Sequence, residues 1–199
     1  PFDWTHFNSL IYNESENAIY VSSKNLSRIT KINKESGDII WNIGKQWLGD
    51  EVITPEIKFS GQHGLQLLEN DNLVFFDNGI LSGKFDGTNV FKSTAIEMHI
   101  NVIDGVYSAE IVWSKTLPTE LYGVVSGNVQ KLINNNYLIT TVGSADGAHS
   151  LEVTPSGEVV WDCKYNVGTP QGAIYRAMRI PSLFNSIYDN NLSIEFHNL

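Results

Sequence analysis

The chain has 199 residues (22.2 kDa), 42% of them hydrophobic, with 22 acidic against 13 basic side chains and a formal net charge of −9. That length supports one sizeable core, and the acidic balance without a basic tract argues against nucleic-acid binding. No apolar run approaches a membrane span, and the single cysteine, Cys163, can form no internal disulfide.

The chain opens on Pro1-Phe2-Asp3-Trp4, with neither a methionine nor a basic leader, which predicts a piece of a longer protein whose export signal, if any, lies upstream. From Ser9 to Trp41, short runs of β-branched and aromatic residues alternate with polar turns. They are Ser9 to Tyr12, Ala18 to Ser23, Arg28 to Ile32 and Asp38 to Trp41. Period two without a competing helical period reads as a four-stranded antiparallel meander. Lys45 to Ser60, carrying Trp47 and Pro55, reads as an inter-repeat loop or lid.

The unit then recurs. Gly64 to Phe76 supplies two strands around the turn Asn70-Asp71-Asn72. Ile96 to Val102 and Ser108 to Trp113 supply two more, after an irregular stretch from Gly79 to Lys92. The third copy runs over 128–133, 137–142, 149–153 and 158–161, and the closing triplets Ile39-Ile40-Trp41, Ile111-Val112-Trp113 and Val159-Val160-Trp161 are near copies. A fourth begins at Ala173 to Ile180. Tandem four-stranded units with aromatic spacers (Trp4, Trp41, Trp113, Trp161) predict an all-β fold, a β-propeller of which about three and a half blades are present. The expected partition is a partial propeller domain over 1–183 and a polar tail over 184–199.

In such a fold the first strand of each blade lines the central channel. Aligning the copies on Ser9, Gln66, Gln130 and Arg179 puts His6, His63, Gly127 and Arg176 at one level. Histidines and an arginine there would make an anion site inside an acidic protein. The same residues also fit plainer roles: a lone histidine beside glycine is often structural, and Arg176 and Arg179, on opposite strand faces, fit a blade-to-blade ion pair. His149 opens a strand after the glycine-rich turn Gly143 to Ala148, where a reactive group or a solvated turn histidine are both at home. Asn8 shares a strand face with His6, and Asp77-Asn78-Gly79 is a turn whose side chains could orient a neighbouring histidine. His99 reads as a solvent-facing strand residue, and His197 falls in the tail. No phosphate loop, dinucleotide fingerprint, serine elbow, HExxH or zinc cysteine pair is present, so no cofactor is expected. A three-histidine metal site from His6, His63 and His149 is left open by the sequence.

Taken together, Asp3-Trp4-Thr5-His6-Phe7-Asn8-Ser9, Val21 to Ile29, Gly61-Gln62-His63-Gly64, Phe76-Asp77-Asn78-Gly79 and Tyr175 to Ile180 make the chain resemble the bacterial-type, aryl-sulfate-dependent arylsulfotransferases. The resemblance runs from Asp3 to about Leu183. It implies a six-bladed propeller, periplasmic or otherwise exported, that moves a sulfuryl group from a phenolic sulfate to a phenol through a sulfohistidine. Phenolic sulfates and phenols would be the partners, with no nucleotide. Carried onto this chain, it implies His149, His63 and His6 as catalytic, with His149 the nucleophile and the other two a clamp on the sulfuryl oxygens. Arg176, Asn8 and Asn78 would bind substrate, with Lys84 standing where the family carries an arginine after the Asp-Asn-Gly turn. The alternative is a propeller that binds or scaffolds without catalysis.

Overall fold

The computed structural model describes residues 2–167 and 174–180. The predicted polar tail, with His197, and the predicted domain end at 183 lie outside the described residues. Twelve strands pair into three four-stranded antiparallel sheets, each in simple sequence order. The first sheet holds β1 (Phe7–Asn13), β2 (Ala18–Ser23), β3 (Arg28–Asn33) and β4 (Ile39–Gly44). The second holds β5 (His63–Leu67), β6 (Leu73–Asp77), β7 (Thr94–Ile103) and β8 (Val106–Thr116). The third holds β9 (Asn128–Lys131), β10 (Tyr137–Ser144), β11 (Gly147–Val153) and β12 (Val159–Tyr165). The chain is therefore all-β, a run of propeller blades, as its repeats predict.

The inner hairpins turn by a shared device. Asn17, Asp71 and Asn135 each adopt positive φ (48°, 63° and 65°), which short polar side chains tolerate better than other non-glycine residues. The β7–β8 hairpin uses Asp104-Gly105, both at positive φ, to match the strand twist. Within Gly79 to Lys92 lies a single helical turn, α1 (Ser82–Phe85).

Two cores separate the three sheets. Tyr20, Ile29, Trp41, Phe59, Phe75 and Met98 fill the first, and Val74, Phe76, Val129, Tyr137, Ile139 and Leu151 the second. β6 is buried at every position because its two faces serve different cores, Phe75 on one side and Val74 and Phe76 on the other. A strand covered on both faces loses the polar half of its alternation. Trp41 packs edge-on to Tyr20, and Trp113 stacks on Tyr137 at a centroid distance of 3.5 Å, so both are spacers. Trp4 and Trp161, predicted as spacers too, are exposed. The Lys45 to Ser60 segment is an inter-blade loop and not a lid: Phe59 is wholly buried, edge-on to Phe75, and Trp47 Nε1 donates to the Leu26 carbonyl.

The first strands of successive blades lie side by side and are tied by side-chain amides. Asn8 Nδ2 donates to the Gln62 carbonyl (2.7 Å), and Gln66 Nε2 to that of Val129 (2.6 Å). The segment 174–180 continues the series along β9. Asn128 and Gln130 donate to the carbonyls of Ala177 and Arg179, and accept those residues' N–H groups in return.

The cross-strand pairing corrects the register expected for the first copy. Tyr12, Gln66 and Gln130 stand level, opposite Ile19, Val74 and Leu138. His63 pairs with Phe76, whose counterpart Val21 pairs with Leu10, so Leu10 stands level with His63 and His6 falls before β1 begins. Pairing irregularities between Phe7 and Ser9, and between His63 and Gln66, hide this shift from a residue count.

Candidate functional site

His63 is the first residue of β5 and is 4% exposed. Its Nδ1 lies 2.9 Å from the Gly61 carbonyl and 2.7 Å from Asn78 Oδ1. The Asn78 amide is oriented by its other end, because Nδ2 donates to the carbonyls of Gly123 (2.7 Å) and Ser126 (3.1 Å). Both groups facing Nδ1 are then acceptors, so Nδ1 carries the proton and donates to them. Nε2 is left with a lone pair and no hydrogen-bond partner among the described residues. Burial lowers the pKa of His63, against the two hydrogen bonds, and the nearby charges of Lys24 and His6 lower it further. At neutral pH it is a neutral imidazole in one tautomer.

The ends of β2 and β6 run parallel in role. Ser22-Ser23-Lys24 stands where Asp77-Asn78-Gly79 stands one blade later, which brings Lys24 to the same end as His63. Lys24 is half-buried, and its amine has no hydrogen-bond or ion-pair partner among the described residues. Its charge reaches both His63 and Asp3. His6 is exposed, at φ 49°, with its Nδ1 paired to Asp3 Oδ2. The pairing holds the Asp3 carboxyl below the usual range. Asn8, half-buried, has its Oδ1 enclosed and without a partner. Gln62 is wholly buried, its amide donating to Ser22 Oγ and to the carbonyls of Ser23 and Arg28, with Oε1 unpartnered.

Thus His6, His63, Asn78 and Asn8 gather where the first strands begin, with Lys24 added. Lys24, Asp3 and Gln62 were not singled out from the sequence. The available signal was the lysine at the turn position that glycine holds in the next copy.

Of the remaining predicted residues, His149 lies elsewhere and Arg176 stands near the start of the segment that continues the first strands along β9. His149 is on β11, the third strand of its blade, with Nδ1 3.0 Å from Asp162 Oδ1 and Nε2 3.1 Å from Asp146 Oδ2. Both nitrogens are engaged by carboxylates, so the arrangement expected of a nucleophile, one nitrogen held and one free, is found at His63 instead. The cause is local: the Gly143 to Ala148 turn closes a tight β10–β11 hairpin and does not fold over the channel mouth. Lys84 is exposed on α1, and its amine has no partner among the described residues. Arg176 is exposed with its guanidinium over the Tyr175 ring, beside the inner end of β9, where Gly127 N–H donates to the Tyr175 carbonyl. Arg179 takes the ion-pair role, reaching Glu152 at 2.6 Å. His99 is half-buried and bonded to Asn72 Oδ1, not free in solvent. Among the described residues no cluster of three or more His, Cys, Asp or Glu side chains is arranged to hold a metal ion, so the three-histidine alternative is not formed.

The model of the Arylsulfotransferase (ASST) family matches residues 1–176. The chain belongs to the arylsulfotransferase family. No curated protein matches it. Solved structures with a similar chain path include a protein of unknown function from Bacteroides caccae (TM-score 0.47, 16% identity, covering 79% of this chain and 45% of that one). A catalytically inactive H270A virginiamycin B lyase from Staphylococcus aureus with quinupristin gives 0.44 at 15% identity, covering 84% and 44%. A streptogramin B lyase gives 0.43 at 14%, covering 83% and 43%. The chain spans less than half the length of each of these structures.

Behind Asn78 lies a second device that this family member carries in its turn. Asp77 Oδ1 accepts the N–H groups of Ser60 and Gly79, both at 2.8 Å, and burial pushes its pKa up to about 7 from 3.8, against those two hydrogen bonds. The folded state therefore holds a proton that the unfolded chain releases near pH 4. Stability from this group is full at low pH and is lost as pH rises through about 7. Asp77→Asn keeps the accepting oxygen and removes the titration. Urea midpoints at about pH 5 and about pH 8 should differ less in the variant than in the wild type. Equal differences in the two proteins would refute this role for Asp77.

Proposed function

We propose that the intact protein transfers a sulfuryl group from a phenolic sulfate ester to a phenol, without a nucleotide donor, through a sulfohistidine at His63. Family membership supports sulfotransferase chemistry in general. The observation that carries the specific reading is the His63 imidazole, with Nδ1–H held by two acceptors and Nε2 without a hydrogen-bond partner among the described residues, within reach of the charges of Lys24 and His6. A nucleophilic imidazole needs this arrangement, a neutral ring with its tautomer fixed. Nε2 attacks sulfur in line and the aryl oxygen leaves. Lys24 offsets the charge of the non-bridging sulfuryl oxygens, and His6 exchanges a proton with the leaving and entering oxygens. Periplasmic or extracellular action, expected from the resemblance, belongs to the same proposal.

The test is colour release from a nitrophenyl sulfate by the intact protein, with and without an added phenol. Release that rises with the phenol, together with a sulfated phenol product, is expected. Binding of the ester with no release across a range of phenols would leave a non-catalytic propeller module in its place.

A further inference from the structure

We infer that Asp3 is a positioning residue for His6, fixing the ring so that its Nε2 is the nitrogen that exchanges protons with the substrate's aryl oxygen. The inference rests on the sulfuryl-transfer reading above. One carboxylate holds His6 at two points: Asp3 Oδ1 accepts the His6 backbone N–H at 3.0 Å, and Asp3 Oδ2 pairs with His6 Nδ1. The backbone there is left-handed, at φ 49°, a conformation uncommon for residues other than glycine.

The surroundings are specific. Asn25 Nδ2 donates to the Asp3 carbonyl at 2.6 Å, Asn25 N–H to the Thr5 carbonyl and Lys24 N–H to the His6 carbonyl. The segment from Asp3 to His6 is thereby hung on the β2–β3 turn that also carries Lys24. The charged and titratable groups around the His6 ring are Asp3, Lys24 and His63. Of these, Asp3 bonds to it.

A carboxylate only accepts, so it fixes a proton on Nδ1 and leaves Nε2 as the exchangeable position. In the first half-reaction the sulfur–aryl oxygen bond breaks as the bond from sulfur to His63 Nε2 forms. The leaving oxygen takes the Nε2 proton of a doubly protonated His6, which becomes the neutral Nδ1–H tautomer. In the second half the acceptor phenol gives its proton back to His6 Nε2 and its oxygen attacks sulfur, breaking the sulfur–nitrogen bond. Protons and charge balance over the cycle, and no co-reactant is needed.

Asp3→Asn separates positioning from mere structure. The amide oxygen can still accept the His6 backbone N–H, but the NH2 then faces Nδ1, which must accept. Neutral His6 would carry its proton on Nε2, the wrong nitrogen. Ring 15N shifts of His6 in the intact protein should therefore change from the Nδ1–H to the Nε2–H pattern. Turnover should fall about 10²-fold with unactivated phenyl sulfate, whose leaving oxygen needs a proton, and less than about tenfold with nitrophenyl sulfate. In a His6→Ala background the same substitution should add no further loss. An unchanged tautomer, equal losses with the two donors, or a full additional loss without His6 would each overturn the assignment. Absence of turnover in the wild type would sink the sulfuryl-transfer reading instead, and the ring shifts would decide the Asp3–His6 pairing on their own.

Discussion

His63→Ala should lower sulfuryl transfer by a factor on the order of 10⁴ or more, because it removes the group that forms the covalent bond to sulfur. His149→Gln should stay within about tenfold of wild type, since both nitrogens of His149 are spent on Asp146 and Asp162. Turnover alone does not assign the nucleophile, because His63 is buried and its loss could disturb the end of β5. The deciding measurement is covalent. Intact protein treated with an aryl sulfate without an acceptor, then digested and mapped by mass spectrometry at alkaline pH, should carry the sulfuryl group on the peptide that contains His63. A label on the peptide containing His149 would restore that residue as the nucleophile and leave His63 as a clamp. Asn78 enters the same argument: it supplies one of the two acceptors that hold Nδ1–H, and its amide anchors that acceptor to Gly123 and Ser126 in the connection to the next blade.

Gly79→Ala should destabilise the protein by about 3 kcal/mol or more, one of the larger effects open to a single methyl group. Gly79 sits at φ 69°, in the left-handed region, and a Cβ built there would lie 1.8 Å from the Lys92 carbonyl oxygen. That neighbour is backbone and cannot swing aside as a side chain could. Nor can Gly79 move freely, because its N–H donates to both the Ser60 carbonyl (3.0 Å) and Asp77 Oδ1 (2.8 Å). Relief of the clash must displace the turn that presents Asn78 to His63. A large fall in the urea midpoint is expected, with loss of turnover in whatever fraction still folds. A midpoint close to wild type would show that the closure of the 79–92 segment is softer than this packing implies.

The strands were legible because hairpins write themselves locally. Ala18 to Ser23 or Tyr137 to Val142 alternate or run apolar, and an asparagine or aspartate that tolerates positive φ marks each inner turn. The repeat was legible because Trp41, Trp113 and Trp161 recur within the last strand of each blade. The repeat predicts His6, His63, Gly127 and Arg176 at one level; His63 and Gly127 do begin neighbouring first strands, while His6 precedes β1 and reaches the same end through the segment before it. The register of the first copy was not legible. Irregular pairing before Ser9 and after His63 adds or removes residues without changing residue type, so a count from His6 to Ser9 looks like one from His63 to Gln66. Lys24 was missed for a related reason, because a lysine in a polar turn reads as solvent-exposed until the turn is seen to end beside His63.

The sequence by itself determined the all-β repeat, the antiparallel order within each blade and the family, because these rest on local alternation, turn chemistry and ordered motifs. Tertiary structure alone decided which histidine has a free nitrogen. His149 and His63 both follow glycine-containing turns and look alike in the chain. One meets two carboxylates from its own blade, Asp146 and Asp162, and the other meets a carbonyl and the amide oxygen of Asn78, itself held from the next connection. The partners of an imidazole are set by which strands stand beside it, and the Gly61–His63–Asn78 contact joins residues 15 apart in sequence through the pairing of β5 with β6.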